Sequence, residues 1–198
     1  MIKEFKHLFT AVIIGLLLCS FLSNGCKRND IALVTRSPIG NRETTIEKAF
    51  NKDSIFLSTV WSQTEDKNRN SVVLFTGEIS KDKLLENAAK DSANWLRVER
   101  GYFESVKESV KRAYIRVSFP IAPDKTFKVG DITLGISSQT HTAWSPVFNT
   151  KEKELVIEEI YKHSQTLYEV ISHYADPSKR EGSGLYFRLT GIDLRKLI

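Results

Sequence analysis

The chain has 198 residues, 41% hydrophobic and 27% charged, which gives room for one folded domain and excludes wholesale disorder, collagen-like repeats and a multi-span membrane protein. Lys and Arg number 29 against 24 Asp and Glu, a formal net charge of +5. That surplus favours acidic partners but is too small to indicate nucleic acid, and no nucleic acid is expected.

The first 25 residues read as an export signal. Lys3 and Lys6 precede an apolar run from Leu8 to Leu22, interrupted by Thr10 and Ser20, and Ser23, Asn24 and Gly25 follow it. A charged start, an apolar middle and a small-residue end are the parts of a removable signal peptide. The run has 15 residues, short of the roughly 20 that a spanning helix needs. A permanent membrane anchor is the weaker reading.

Cysteine usage bears on the same point. Cys19 lies inside the apolar run behind the bulky Leu18, so removing residues 1–25 leaves Cys26 as the lone cysteine, with no intrachain disulfide available. The charge of the remainder is +4, because Lys3, Lys6 and Glu4 leave with the signal. An exported protein with one thiol needs a use for it, and lipid attachment supplies one.

With Gly25 directly before Cys26, a Leu-rich stretch upstream and the polar Lys27-Arg28-Asn29-Asp30 downstream, this segment resembles a bacterial lipoprotein signal. It departs from the usual box in carrying Ser23 three residues before the cysteine, with Leu22 one place further back. The loose box Leu22–Cys26, the polar stretch after it and the Lys/Asn/Ile/Ser-rich composition resemble spirochaetal (Borrelia-like) outer-surface lipoproteins, over about 40 residues. The resemblance implies cleavage between Gly25 and Cys26, acylation of Cys26, anchoring in the outer membrane, often at the cell surface, and in many members binding of a host protein or glycan. Ser23 and Gly25 also suit an ordinary signal peptidase, which would release the protein with a free Cys26.

Residues 26–43 are then expected to be the lipidated cysteine and a flexible polar tether, with turn signals at Ser37-Pro38 and Gly40-Asn41. Extended, the 17 residues after Cys26 would span about 56 Å. Residues 44–198 are expected to form one domain. A short helix is predicted at Thr45–Asn51, followed by an antiparallel hairpin of Ile55–Trp61 and Val72–Ile79 around a polar loop. Ser80 is a helix cap, and Leu84, Leu85, Ala88 and Ala89 face inward on the helix it starts, to about Asn94.

Arg112–Phe119 is the clearest strand, with Ala113, Ile115, Val117 and Phe119 alternating with polar positions. Past Pro120 and Pro123 the apolar phase slips by one at Gly130-Asp131, which predicts either a two-residue hairpin turn or a bulge in one continuous strand. Lys151–Tyr174 reads as one long helix, striped by Val156, Ile160, His163, Leu167, Ile171 and Tyr174. Leu185, Phe187 and Leu189 alternate with Tyr186, Arg188 and Thr190, predicting a final strand. The expected fold class is α+β: mainly antiparallel sheet, in one version sandwich-like, with a long C-terminal helix packed on it.

No catalytic signature stands out. There is no G-x-S-x-G elbow, no H-E-x-x-H pair and no phosphate loop at Gly182-Ser183-Gly184. No enzymatic role and no cofactor or metal are expected. His163 reads as a partly buried structural residue, His173 as exposed, and His141 as an ordinary loop residue. The candidate binding face is basic and aromatic: Lys107 and Lys111 share a face if residues 103–112 are helical, Arg116 and Arg188 form a stripe if their strands are neighbours, and Trp144 lies in a Pro-stiffened loop. Such a face suits a sulfated glycan or an acidic host protein. The leading expectation is a non-enzymatic, lipid-anchored surface protein; a periplasm-facing envelope subunit is the second reading and a secreted hydrolase the third.

Overall fold

The computed structural model describes residues 30–51, 55–193 and 196. The signal segment 1–25 and the proposed cleavage point Gly25–Cys26 lie outside them.

Two short helices come first, α1 (Asp30–Thr35) and α2 (Ile46–Ala49). The strands β1 (Ser58–Glu65) and β2 (Ser71–Ile79) then form the expected hairpin. Ser80 caps α3 (Lys81–Ala88), its hydroxyl accepting from the Lys83 N–H at 3.3 Å. A 3-10 turn over Ala89–Asn94 leads to α4 (Arg97–Ser109). Next come β3 (Arg112–Pro120), β4 (Ile132–Ser137) and the short β5 (Thr142–Trp144). Three helices complete the described chain: α5 (Thr150–Tyr161), α6 (Leu167–Ile171), which runs into a 3-10 turn to Ala175, and α7 (Arg180–Thr190).

The five strands lie in sequence order and every neighbouring pair is antiparallel, an up-and-down meander. Period-two alternation sends Val73, Phe75, Ile79, Ala113, Ile115, Val117, Phe119, Ile132, Leu134 and Ile136 into the core. Burial of each large apolar side chain in this row contributes about 1.5–3 kcal/mol. The helices supply the other half of the core, through Leu84, Phe103, Val106, Val156, Ile160, Leu167, Ile171, Leu185 and Tyr186.

The expected fold class needs correcting. The domain is mixed α and β, but more of its described residues are helical than extended, and the single open sheet does not fold into a sandwich. One face of the sheet is the floor of the core, while the other carries Val60, Leu74, Thr76, Tyr114, Arg116, Thr133 and Trp144, none of them fully buried.

The predicted long helix is also broken. His163 adopts φ +52°, the left-handed conformation that ends a helix, and the Ser164 N–H bonds back to the Glu159 carbonyl at 3.0 Å. The apolar stripe survives because Leu167 and Ile171 resume it on α6 after the turn. The predicted final strand is helix α7. Its apolar alternation is real, but the buried positions are Gly182, Leu185, Tyr186 and Leu189, at helical spacing, and Phe187 is left 40% exposed. Gly191, at φ +76°, closes α7 by donating its N–H to the Phe187 carbonyl.

The slip at Gly130-Asp131 resolves as a bulge. Ile121 bridges Phe127, whereas Val117 pairs with Ile132, so the returning strand carries one extra residue. The extra residue sits opposite Ser118, whose backbone and hydroxyl bond both Gly130 and Asp131.

Residues 30–43, expected as tether, are folded onto the domain. Val34 is fully buried, the Ile39 N–H reaches the Tyr161 hydroxyl, and Asp30 is buried against Gln63 and Lys125. The polar composition of this stretch hides Ile31, Leu33 and Val34 on α1 and Ile39 beyond the turn, all four packed in or against the core.

Candidate functional site

The open face of the sheet is built around Trp144. It stands on β5 directly across from Gly135 on β4, and a glycine there leaves the sheet surface flat. A Cβ on Gly135 would lie 2.7–2.9 Å from three carbons of the Trp144 ring, closer than atoms can approach. The indole therefore occupies the space that any other residue at 135 would fill, and it leans toward β3. There it meets Tyr114, ring centres 6.4 Å apart, and Arg116, whose guanidinium carbon is 3.7 Å from the ring centroid.

Arg116 is the electrostatic centre of this face. Among the described residues no carboxylate lies within ion-pair distance of it, and its Nε is buried without a hydrogen-bond partner. Burial pulls its pKa down from the usual arginine value, with no opposing acidic neighbour. It still carries its charge, since an arginine is effectively always protonated. The positive charge is held in place by the indole face alone. The next arginine on the same strand, Arg112, is different: it faces Glu78 at 3.8 Å, and its hydrogen bond to the Tyr114 oxygen, then the charges of Tyr114 and Glu78, push its pKa up.

Arg188 approaches the backbone of Trp144 from α7. Its Nε donates to the Trp144 carbonyl at 2.9 Å, and its own carbonyl lies 3.2 Å from the His141 Nε2. Arg116 lies over the Trp144 ring and Arg188 bonds the Trp144 backbone, but the two arginines do not form a stripe on neighbouring strands, because Arg188 is helical. Lys107 and Lys111 do not share a helix face: α4 ends at Ser109. Lys107 pairs with Glu104 at 3.6 Å, and the Lys111 ammonium donates to the Glu108 carbonyl at 3.1 Å. Each is occupied locally.

One residue beneath Trp144 escaped the sequence reading. Gly135 falls inside an alternating strand, and a glycine there is the signal for a close approach from above. His141 is more than a loop residue, since it joins β5 to α7. The other histidines also differ from expectation. His163 is exposed in the turn after α5, and His173 is partly buried, 3.2 Å from Glu152 and stacked on Tyr174.

The arrangement offers an indole overlaid by an arginine without an acidic partner among the described residues, with the Tyr114 ring tilted beside it, which suits a ligand with an anionic group. Among the described residues no three His, Cys, Asp or Glu side chains gather as a metal site, and no helix is long and apolar enough to cross a membrane. No protein family, curated protein or solved structure matches the chain.

Proposed function

We propose that this chain is a lipid-anchored outer-membrane protein, acylated at Cys26 and displayed at the cell surface, that works by binding and not by catalysis. Its ligand on this reading is a sulfated glycan, received on the open sheet face. The signal-like segment before Cys26 and the lone thiol support the anchor. The observation that carries the binding role is Arg116, a partly buried cation stacked on Trp144 with no acidic partner among the described residues. A sulfate would complete that charge, and the adjoining rings of Trp144 and Tyr114 would take the sugar face.

Heparin affinity chromatography of wild type, Arg116→Ala and Trp144→Ala tests the binding role. Wild type should elute later than both variants, while Lys107→Ala, which removes the same charge elsewhere, should elute with wild type. Elution of all four together would end the glycan reading, and retention on an acidic host protein alone would move the ligand class to protein. Protease treatment of intact cells, with lipid labelling of wild type and Cys26→Ala, tests the rest. A labelled protein that resists external protease would point to the inward-facing envelope subunit, and an unlabelled wild type would remove the anchor.

A further inference from the structure

The part of the expected tether that is folded brings the start of the domain close to Cys26. Four peptide steps separate Cys26 from Asp30, so the two are no more than about 14 Å apart. Asp30 is fixed to the domain by Gln63 at 3.1 Å and Lys125 at 3.8 Å. Lys125 in turn lines a groove of about 570 Å³ between residues 33–40 and the loop 125–129, within the range of small-molecule sites.

The lining of this groove is one-sided. Leu33, Ile39, Phe127 and Val129 supply apolar walls and are only partly buried by the core behind them. Lys125 and Lys128 stand at the same groove, and it has no acidic wall residue. Lys128 is exposed and has no ion pair among the described residues. The adjoining hollow across Ile39 and Val129, about 470 Å³, lacks this preference because Glu154 and Glu158 offset Arg42 and Lys153. Lys125 is already paired with Asp30, so the unopposed charge at these apolar walls is Lys128, and the combination fits one chemistry, a molecule with an anionic head and an apolar body.

We propose that this groove seats an anionic phospholipid of the bilayer to which Cys26 is anchored, so that the domain rests on the membrane instead of standing away from it. The source of the lipid rests on the anchor reading above; the groove's preference for an anionic head does not. The charge complementarity and the short distance from Cys26 argue for the same occupant from independent directions.

Hydrogen exchange over residues 33–40 and 125–129 reads the seat directly. Wild type and the unlipidated Cys26→Ala chain are each mixed with vesicles of phosphatidylcholine alone or of phosphatidylcholine with phosphatidylglycerol. Exchange in both segments should slow roughly tenfold with the anionic vesicles only. Lys128→Glu, an exposed change that disturbs no ion pair, should abolish the slowing while leaving exchange elsewhere unchanged. Equal exchange in the two vesicle types, or slowing that survives Lys128→Glu, would overturn the proposal. Concentration-dependent slowing without vesicles would also overturn it, by giving the groove to a second copy of the chain. Because Cys26→Ala reports on the groove without a lipid, and lipid labelling of wild type reports on the anchor, either can fail without the other.

Discussion

Trp144 lies where a side chain of residue 135 would stand: a Cβ on Gly135 would come within 2.7 Å of the indole. The pair sits in direct register across β4 and β5, so the smallest residue on one strand creates the platform for the largest on the next. Trp144 then positions Arg116 by stacking and anchors Arg188 through its carbonyl. The candidate site therefore depends on a residue that has no side chain.

Gly135→Ala should displace the indole. The expected cost is about 1–3 kcal/mol, typical of forcing an extra methyl into an occupied space. Tryptophan fluorescence should change, and heparin retention should fall as it does for Trp144→Ala. An alanine variant with wild-type stability and retention would mean that the indole can move aside without consequence.

Arg116→Met separates binding from stability. The side chain has a buried Nε with no partner, so its desolvation is uncompensated, while its contact with Trp144 is worth about 0.5–2 kcal/mol. These oppose each other, and chemical denaturation should find the variant within about 1 kcal/mol of wild type. Glycan binding should nevertheless be lost. Arg116→Lys should rescue binding only in part, because an ammonium cannot stack as a planar guanidinium does. Full rescue by lysine would reduce the site to a simple point charge.

Two glycines predict opposite outcomes on substitution. A Cβ at Gly182 would sit 2.0 Å from the Asp176 carbonyl oxygen, a backbone atom that cannot move aside alone. Gly182→Ala should cost about 3 kcal/mol or more, lowering Tm by roughly 6–12 °C. Gly101 lies exposed inside α4 with open space where its Cβ would be. Gly101→Ala should raise stability by about 0.5–1 kcal/mol, since alanine is the better helix former. Thermal unfolding of the two variants side by side checks both signs.

Stability should fall in alkali. The Tyr186 hydroxyl is fully buried and donates to the Ala175 carbonyl at 2.6 Å; burial first, then the charge of Asp176, pushes its pKa far above the ordinary tyrosine value. Tyr174 shifts the same way, through burial and then through Glu152, which accepts its proton at 2.7 Å. In the unfolded chain tyrosine ionises near pH 10. Above that pH the unfolded state holds fewer protons than the folded one, so the stability present below pH 10 declines as pH rises. Urea unfolding should show a decline of up to about 1.4 kcal/mol per pH unit from Tyr186, and Tyr186→Phe should flatten the slope while costing about 1 kcal/mol at neutral pH. An unchanged slope in Tyr186→Phe would assign the alkaline loss to other groups.

The legible parts of the fold were those with local causes. The hairpin pairing, the Ser80 cap and β3 are legible because alternation and capping depend on residues close in sequence, although β1 starts at Ser58 and runs on to Glu65, later than the expected Ile55–Trp61. The α7 segment shows the limit. Leu185, Phe187 and Leu189 fit period two, while Gly182, Leu185, Tyr186 and Leu189 fit a helix. Which set is buried depends on the Asp176 backbone lying against Gly182 and on Ala175 receiving the Tyr186 hydroxyl. His163 carries no strong breaking signal in the sequence, since left-handed histidine is uncommon, yet the local backbone bonds that close α5 form around it.

By itself, the sequence determined the mixed α and β class of the domain and its principal strand, because burial periodicity is written residue by residue. Only the tertiary structure decided that Arg116 lies over the Trp144 ring, that Arg188 bonds the Trp144 backbone, that Lys107 and Lys111 pair locally, and that residues 30–43 lie on the domain. The physical reason is that long-range contacts such as Gly135 beneath Trp144 and Lys125 beside Asp30 are chosen by how whole elements pack, and local periodicity does not encode that choice.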